Sequence, residues 1–166
     1  PELFYTPVTF DRGFADFRLR LSPFKLDIGQ AVVFHGDTRV SASGQIGATR
    51  EAWDLALDFS VPEIQAEKLR EIWPIPLSPN PREWAFKNVE AATISDAHIA
   101  LRGPDFDTAQ VLLGGQISDA IVRVMPALPP VHGASGHLSL AHNRFSVTVD
   151  EGTLTAPNGA DMDVSG

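Results

Sequence analysis

The chain has 166 residues, which is enough for one domain with its own hydrophobic core. Its formal charge of −8 at neutral pH, with lysines and arginines spread singly, argues against a surface for nucleic acid. It contains no cysteine, which excludes disulfides, thiol catalysis and cysteine-ligated metal centres. The sequence begins at Pro1 and lacks a long apolar span, and we expect it to be a segment of a larger protein.

Alternation of apolar and polar residues is the main signal in the first part of the chain. Phe17, Leu19 and Leu21 alternate with charged residues, and similar alternation returns at 39–46 and 53–60. Such a period of two is typical of strands with one buried face. Because the strands follow each other at short intervals with polar turns between them, they predict an antiparallel meander.

The stretch 60–88 interrupts this alternation with prolines and tryptophans. Ser60, followed three residues later by a glutamate, matches a capping box and predicts a helix from there to about Trp73. A proline ends that helix, further prolines hold the chain extended, and a second short helix is predicted to end near Asn88. The insert is therefore interpreted as helix, rigid elbow and helix, with Trp73 and Trp84 anchoring it on the sheet.

Alternation returns after the insert. Residues 89–101 and 117–125 predict two long strands, and a hairpin is predicted with its turn at 141–144. The Pro-rich stretch 125–130 is expected to cross over from one meander to another. These strands again leave one apolar face.

The predicted fold is mainly β: an antiparallel meander of repeated strands that forms a curved sheet or an open groove, with a short Pro-rich helix-elbow-helix insert. A first β-meander is assigned to residues 1–62, the insert to 63–88 and a second β-meander to 89–166. All three parts are expected to form one continuous structural domain within a larger protein.

The sequence contains residues of the types that act in catalysis or bind metals, but they lack the spacing that either role requires. His132, His137 and His142 are five residues apart, and a five-residue step along a strand turns the side chain to the opposite face. No nucleotide-binding loop, GxSxG elbow or HExxH helix occurs in the sequence. We therefore predict no catalytic residue, no metal, no cofactor and no enzymatic activity, and a hydrolase site at the elbow remains an alternative without a motif.

Six stretches share their order and character with a known family. They are 69–74 and 82–89 in the insert, 97–101 after it, the Pro-rich stretch 125–133, and the strands 136–140 and 145–154, the last with an F-x-V-x-V-x-x-G pattern. In these stretches the chain resembles the AsmA-like superfamily of bacterial envelope proteins, most of all the YhdP type, which is related to TamB. The resemblance covers most of the chain.

This resemblance implies a periplasmic protein that is anchored in the inner membrane through a part of the parent protein outside this segment. It also implies an apolar β-groove that carries phospholipid between the inner and outer membranes in outer-membrane biogenesis. The implied partners are phospholipid acyl chains, membranes and other envelope proteins. The alternation agrees with this function, because a sheet that curls without closing leaves an apolar trough that acyl chains can occupy.

The apolar face of the predicted strands supplies the candidate residues that line the lipid groove. They are Leu19, Val40, Ile46, Leu55, Leu57, Phe59, Ile99, Leu138, Leu140, Phe145, Val147 and Val149. For each one the alternative is an ordinary core position, since alternation identifies the dry face without showing what covers it. For the whole segment the alternative is a non-catalytic β-sandwich or solenoid that serves as a scaffold or binding module of the cell envelope.

Overall fold

The computed structural model describes residues 7–48, 52–75, 77–105, 108–125, 127–142, 144–156 and 159–165. These residues form nine β-strands and two short α-helices. In chain order the elements are β1 (Arg12–Leu21), β2 (Phe24–His35), β3 (Thr38–Ala48), β4 (Trp53–Gln65), α1 (Ala66–Ile72), α2 (Pro79–Asn88), β5 (Val89–Gly103), β6 (Gln110–Val122), β7 (Val131–Ala141), β8 (Arg144–Thr155) and β9 (Asp161–Ser165).

The strands pair in the order in which they occur in the chain, and each is antiparallel to the next. Within the described residues β1 and β9 do not pair with each other, so the single sheet is open. The structure thus confirms the predicted antiparallel meander. The sheet continues across the insert, because β4 and β5 are direct partners, from Leu55 opposite Gly103 to Gln65 opposite Thr93.

The Pro-rich stretch 125–130 has a different role from the one predicted. It joins β6 to β7, which are neighbours in the same sheet. The expected crossover between two meanders is therefore wrong, because both strands belong to one meander. Prolines in this loop cannot donate to a ladder, which suits a segment that leaves the sheet between two strands.

The sheet has one apolar face and one polar face. On the apolar face a single row of directly paired residues crosses the first eight strands, and we call it the apolar row. It consists of Ala15, Ala31, Ala42, Phe59, Ile99, Leu113, Leu140 and Phe145. The opposite face carries polar contacts between neighbouring strands, including an ion pair of Arg102 with Asp58 at 2.6 Å and a contact of His137 Nδ1 with the carboxylate of Asp150 at 3.0 Å. The polar face therefore meets water, while the apolar row needs a cover.

Three neighbouring strands, β5, β6 and β7, contain bulges. The pairing register shifts around Asp96 in β5, Asp119 in β6 and Gly133 in β7, and each of these residues has a positive φ between 50° and 59°. A bulge adds one residue to one strand, which bends the strand and increases its twist. Each is followed by an alanine that is at most 5% exposed. The small side chains leave room for helices to approach the bent sheet.

The first helix begins later than the sequence predicts. The expected capping box at Ser60 does not form, because Ser60 to Gln65 extend β4 and pair with β5. Helix α1 instead begins at Ala66 without a side-chain cap. Pairing with β5 is more favourable than a capped helix start at Ser60. It supplies several backbone hydrogen bonds and buries Val61 and Ile64 to 6% and 3% exposure, whereas a cap satisfies one or two backbone donors.

The second helix ends at Asn88, as the sequence predicts. Both helices lie on the apolar face of the sheet. Leu69 and Ile72 of α1 pack against a buried cluster that belongs to β4, β5 and β6. Trp84 of α2 packs against a second buried cluster, which we call the alanine-rich cluster. It consists of Ala66, Ala92, Ala120, Val122, Val131 and Ala134. We call the two helices the roof, because they pack on this apolar face.

Candidate functional site: an apolar groove under the roof

A cavity of about 400 Å³ lies between the roof and the apolar face of the sheet, and we call it the groove. All seven strands from β2 to β8 contribute to its wall, together with both helices and Phe10. Among the described lining residues only Arg70 is charged, and only Ser78 is a further small polar residue. Its volume falls in the range of ligand pockets, about 300 to 1,000 Å³. The groove is therefore large enough and dry enough to hold an apolar molecule.

A second depression of about 380 Å³ lies on the polar face of the sheet. Asp58, His98 and Leu112 are among its lining residues, and it is wider open than the groove. No helix covers it within the described residues. Its open shape makes it the weaker candidate for binding, since ligand sites enclose most of a ligand's surface.

Seven of the twelve predicted lining residues border the groove, together with both predicted anchors, Trp73 and Trp84. The seven are Val40, Phe59, Ile99, Leu138, Leu140, Phe145 and Val147. They come from β3, β4, β5, β7 and β8, and the sheet brings them together because direct partners on neighbouring strands face the same side.

The other five predicted residues lie elsewhere on the apolar face. Leu55 and Leu57 are 1% and 6% exposed and do not border the groove, so other protein atoms cover them. Val149 packs against the alanine-rich cluster, and Ile46 is half-buried outside the groove. Leu19 is 50% exposed, because it lies on β1, the edge strand of the described sheet.

The sequence pattern does not predict several other residues that line the groove, and in each case the reason lies in the local sequence. The capping-box pattern predicts a helix over Val61 and Ile64, whereas both residues lie on β4 and border the groove. Leu113 stands beside Leu112 and before two glycines, so alternation does not show which leucine faces the core. No sequence signal marks Arg70 as a lining residue, because a charged residue on a short helix usually points to solvent.

The tryptophans fix the roof at two points. Trp73 donates a hydrogen bond from Nε1 to the backbone oxygen of Leu77 at 2.8 Å, and its ring meets that of Phe86 edge-on at 6.0 Å. These contacts hold α1 and α2 at a fixed angle across the elbow. Trp84 contacts the ring of Phe145 on β8, with 5.5 Å between ring centres. Trp84 therefore ties the roof to the far wall of the groove.

A histidine ties the roof to the opposite wall. His35, the last residue of β2, has Nε2 at 3.1 Å from the carboxylate of Glu71 on α1, and Nδ1 at 2.8 Å from the backbone oxygen of Thr9. Both partners accept hydrogen bonds, so both nitrogens donate only in the protonated ring. The bond to Thr9, followed by the bond and charge of Glu71, raises the pKa of His35 above 6.5.

Arg70 stands out as the charged residue of the groove wall. Its Nη2 donates to the backbone oxygens of Val89 at 2.5 Å and of Phe86 at 3.3 Å, at the end of α2. Its guanidinium lies 5.7 Å from the centre of the Phe86 ring, and Arg82 lies over the same ring at 4.3 Å. Among the described residues no carboxylate forms an ion pair with Arg70.

Two features are absent from the described part of the chain. There, no three histidine, aspartate or glutamate side chains come together in a way that would hold a metal ion. Likewise, none of the helices described has the length and apolar character needed to cross a membrane.

The fold and the site together define a class of protein: a single open antiparallel sheet whose apolar face forms a roofed groove. No protein-family model, no curated protein and no solved structure matches this chain. The resemblance to the AsmA-like superfamily therefore stays a prediction, and the function must be argued from the groove.

Proposed function

We propose that this chain is a segment of a periplasmic lipid-transfer protein whose groove carries the acyl chains of phospholipids between the inner and outer membranes. The observation that carries the proposal is the cavity of about 400 Å³ with a wall that is apolar except at Arg70 and Ser78. Each CH₂ group moved from water into such surroundings contributes about 0.8 kcal/mol. A long acyl chain is therefore a favourable occupant. The envelope location and the two membranes rest on the resemblance.

The direction of the apolar row supports an extended occupant. The row runs across the strands, and seven strands at a spacing of about 4.8 Å span about 30 Å. A hydrocarbon core of about 30 Å holds two leaflets, so one acyl chain is about half as long. The groove is thus longer than a single acyl chain, which suits a path along which a lipid moves.

The proposal is tested by placing a photo-crosslinking amino acid at Val147 in the protein incubated with phospholipid vesicles. Val147 borders the groove, so illumination should attach lipid, which mass spectrometry of the purified protein identifies. The matched control is Ser146, the residue of β8 directly before Val147, which is exposed on the polar face. Lipid attached equally at both positions, or protein crosslinks alone at Val147, would contradict the proposal.

A second candidate function is a non-catalytic scaffold or binding module of the cell envelope. Edge strand β1 favours it, because Phe14, Phe17 and Leu21 are 57%, 60% and 77% exposed on a strand with one unpaired side in the described sheet. An extended segment of another protein can add to such an edge. In that case a crosslinker at Leu19 would capture protein, while the same group at Val147 would capture no lipid.

A further inference from the structure

Arg70 is in an unusual position for a positive charge. Its side chain is half-buried and lies in the wall of a cavity whose other described lining residues are uncharged. Holding a charged group away from water is unfavourable unless an opposite charge compensates it. The described residues supply no such carboxylate to Arg70.

The contacts that Arg70 does make compensate its charge only in part. The backbone oxygens of Phe86 and Val89 lie at the end of α2, where the helix dipole gives the carbonyl groups a partial negative charge. Both bonds come from Nη2, one of three guanidinium nitrogens. The guanidinium carries five N–H donors in a flat fork that fits the two oxygens of a carboxylate or phosphate.

We propose that Arg70 binds the anionic head group, a carboxylate or a phosphate, of a lipid whose acyl chain lies in the groove. This inference rests on the proposed function and adds a substrate class to it. A neutral chain fills the groove but leaves the charge of Arg70 only partly compensated, and a cationic amphiphile brings a second positive charge to it. The affinity of the groove is therefore highest for anionic amphiphiles, lower for neutral ones and lowest for cationic ones.

The ranking is measured by the displacement of a neutral, environment-sensitive dye from the groove at pH 8 and low salt. The competing probes are palmitate, 1-hexadecanol and hexadecyltrimethylammonium, which have chains of the same length and different head groups. Palmitate should bind about tenfold more tightly than 1-hexadecanol, as expected for charge-assisted hydrogen bonds. The cationic probe should bind more weakly than either.

Variants separate charge recognition from a structural role of Arg70. Arg70→Gln should remove the advantage of palmitate over 1-hexadecanol, while 1-hexadecanol still binds. Arg70→Lys should keep part of the advantage, because the positive charge remains. The matched control is Arg39→Gln, which removes an exposed arginine from β3 and should leave the ranking unchanged. Equal weakening of both probes by Arg70→Gln would mean that Arg70 only holds the end of α2, and would overturn the inference.

The remaining outcomes distinguish this inference from the proposed function. Equal binding of palmitate and 1-hexadecanol to the unaltered protein would overturn the role of Arg70 and leave the lipid groove intact. Failure of both to displace the dye would overturn both. Inorganic phosphate, titrated by calorimetry, separates a lipid head group from a free anion. It should not bind at concentrations at which palmitate does, and comparable binding would assign Arg70 to a soluble anion.

Discussion

Leu55 and Leu57 lie on the same face of β4 as Phe59, yet their surroundings differ. The two leucines are 1% and 6% exposed and lie outside the groove, whereas Phe59 belongs to the apolar row and borders the cavity. The sequence pattern is the same in both places. One strand therefore serves as ordinary core at Leu55 and Leu57 and as the wall of the groove at Phe59, two residues further along the same face.

Shortening the side chain should be more costly at Leu55 than at Phe59. Leu55→Ala should lower the free energy of unfolding by about 3 kcal/mol, because it leaves a void in a fully packed place. Phe59→Ala should cost about 1 to 2 kcal/mol, since part of its ring already faces empty space. Urea denaturation measures both. If Phe59→Ala costs as much as Leu55→Ala, the groove is packed as tightly as the core.

Trp84 and Trp53 also lie in different surroundings. Trp84 packs against the alanine-rich cluster and Phe145, whereas Trp53 is 51% exposed and contacts Phe24 at the other end of the sheet. We expect Trp84→Ala to cost about 2 kcal/mol and to abolish dye binding, because the roof loses its attachment to β8.

Trp53→Ala is the matched control for this loss. It should cost less than about 1 kcal/mol and leave dye binding unchanged, because the residue lies outside the groove. Unchanged dye binding in Trp84→Ala would show that the roof does not need this contact to cover the groove.

The smallest expected effect concerns the contact between His35 and Glu71. Because folding raises the pKa of His35, its contribution to stability is complete below pH 6.5 and is lost as the pH rises through the folded value. Glu71→Gln removes one cause of that rise. Since the pair is partly exposed, the variant should lose about 0.5 kcal/mol relative to the unaltered protein at pH 5.5, and less at pH 8.5.

Urea denaturation at the two pH values measures this difference. Glu67→Gln, on the first turn of α1, is the control and should keep the pH dependence of the unaltered protein. The same pH dependence in Glu71→Gln would mean that the roof is not held by this contact.

Much of the sheet follows from the sequence, because alternation is a local signal. The hairpin of β7 and β8 and the facing of Leu138, Phe145 and Val147 could be predicted in this way. What alternation lacks is the information carried by distant partners. Ser60 to Gln65 matched a helix start, and only their pairing with β5 shows that they are strand.

The same limit applies to the groove itself. Leu55 and Phe59 look alike in the sequence, and their difference depends on where the roof lies above the sheet. Arg70 joins the site only because α1 places it beside Phe86 and Val89. Positions defined by tertiary contacts of this kind cannot be predicted from local periodicity.

The roof is inserted between two strands that are direct partners in the sheet. Gln65 and Thr93 face each other on adjacent strands, so the ladder of β4 and β5 is complete without the helices that connect them. A short hairpin loop would close the same pair of strands. The roof and the sheet are therefore separable parts of the fold. During evolution the roof could be lengthened, shortened or exchanged, and the opening of the groove would change with it. The pairing of the strands beneath would stay the same.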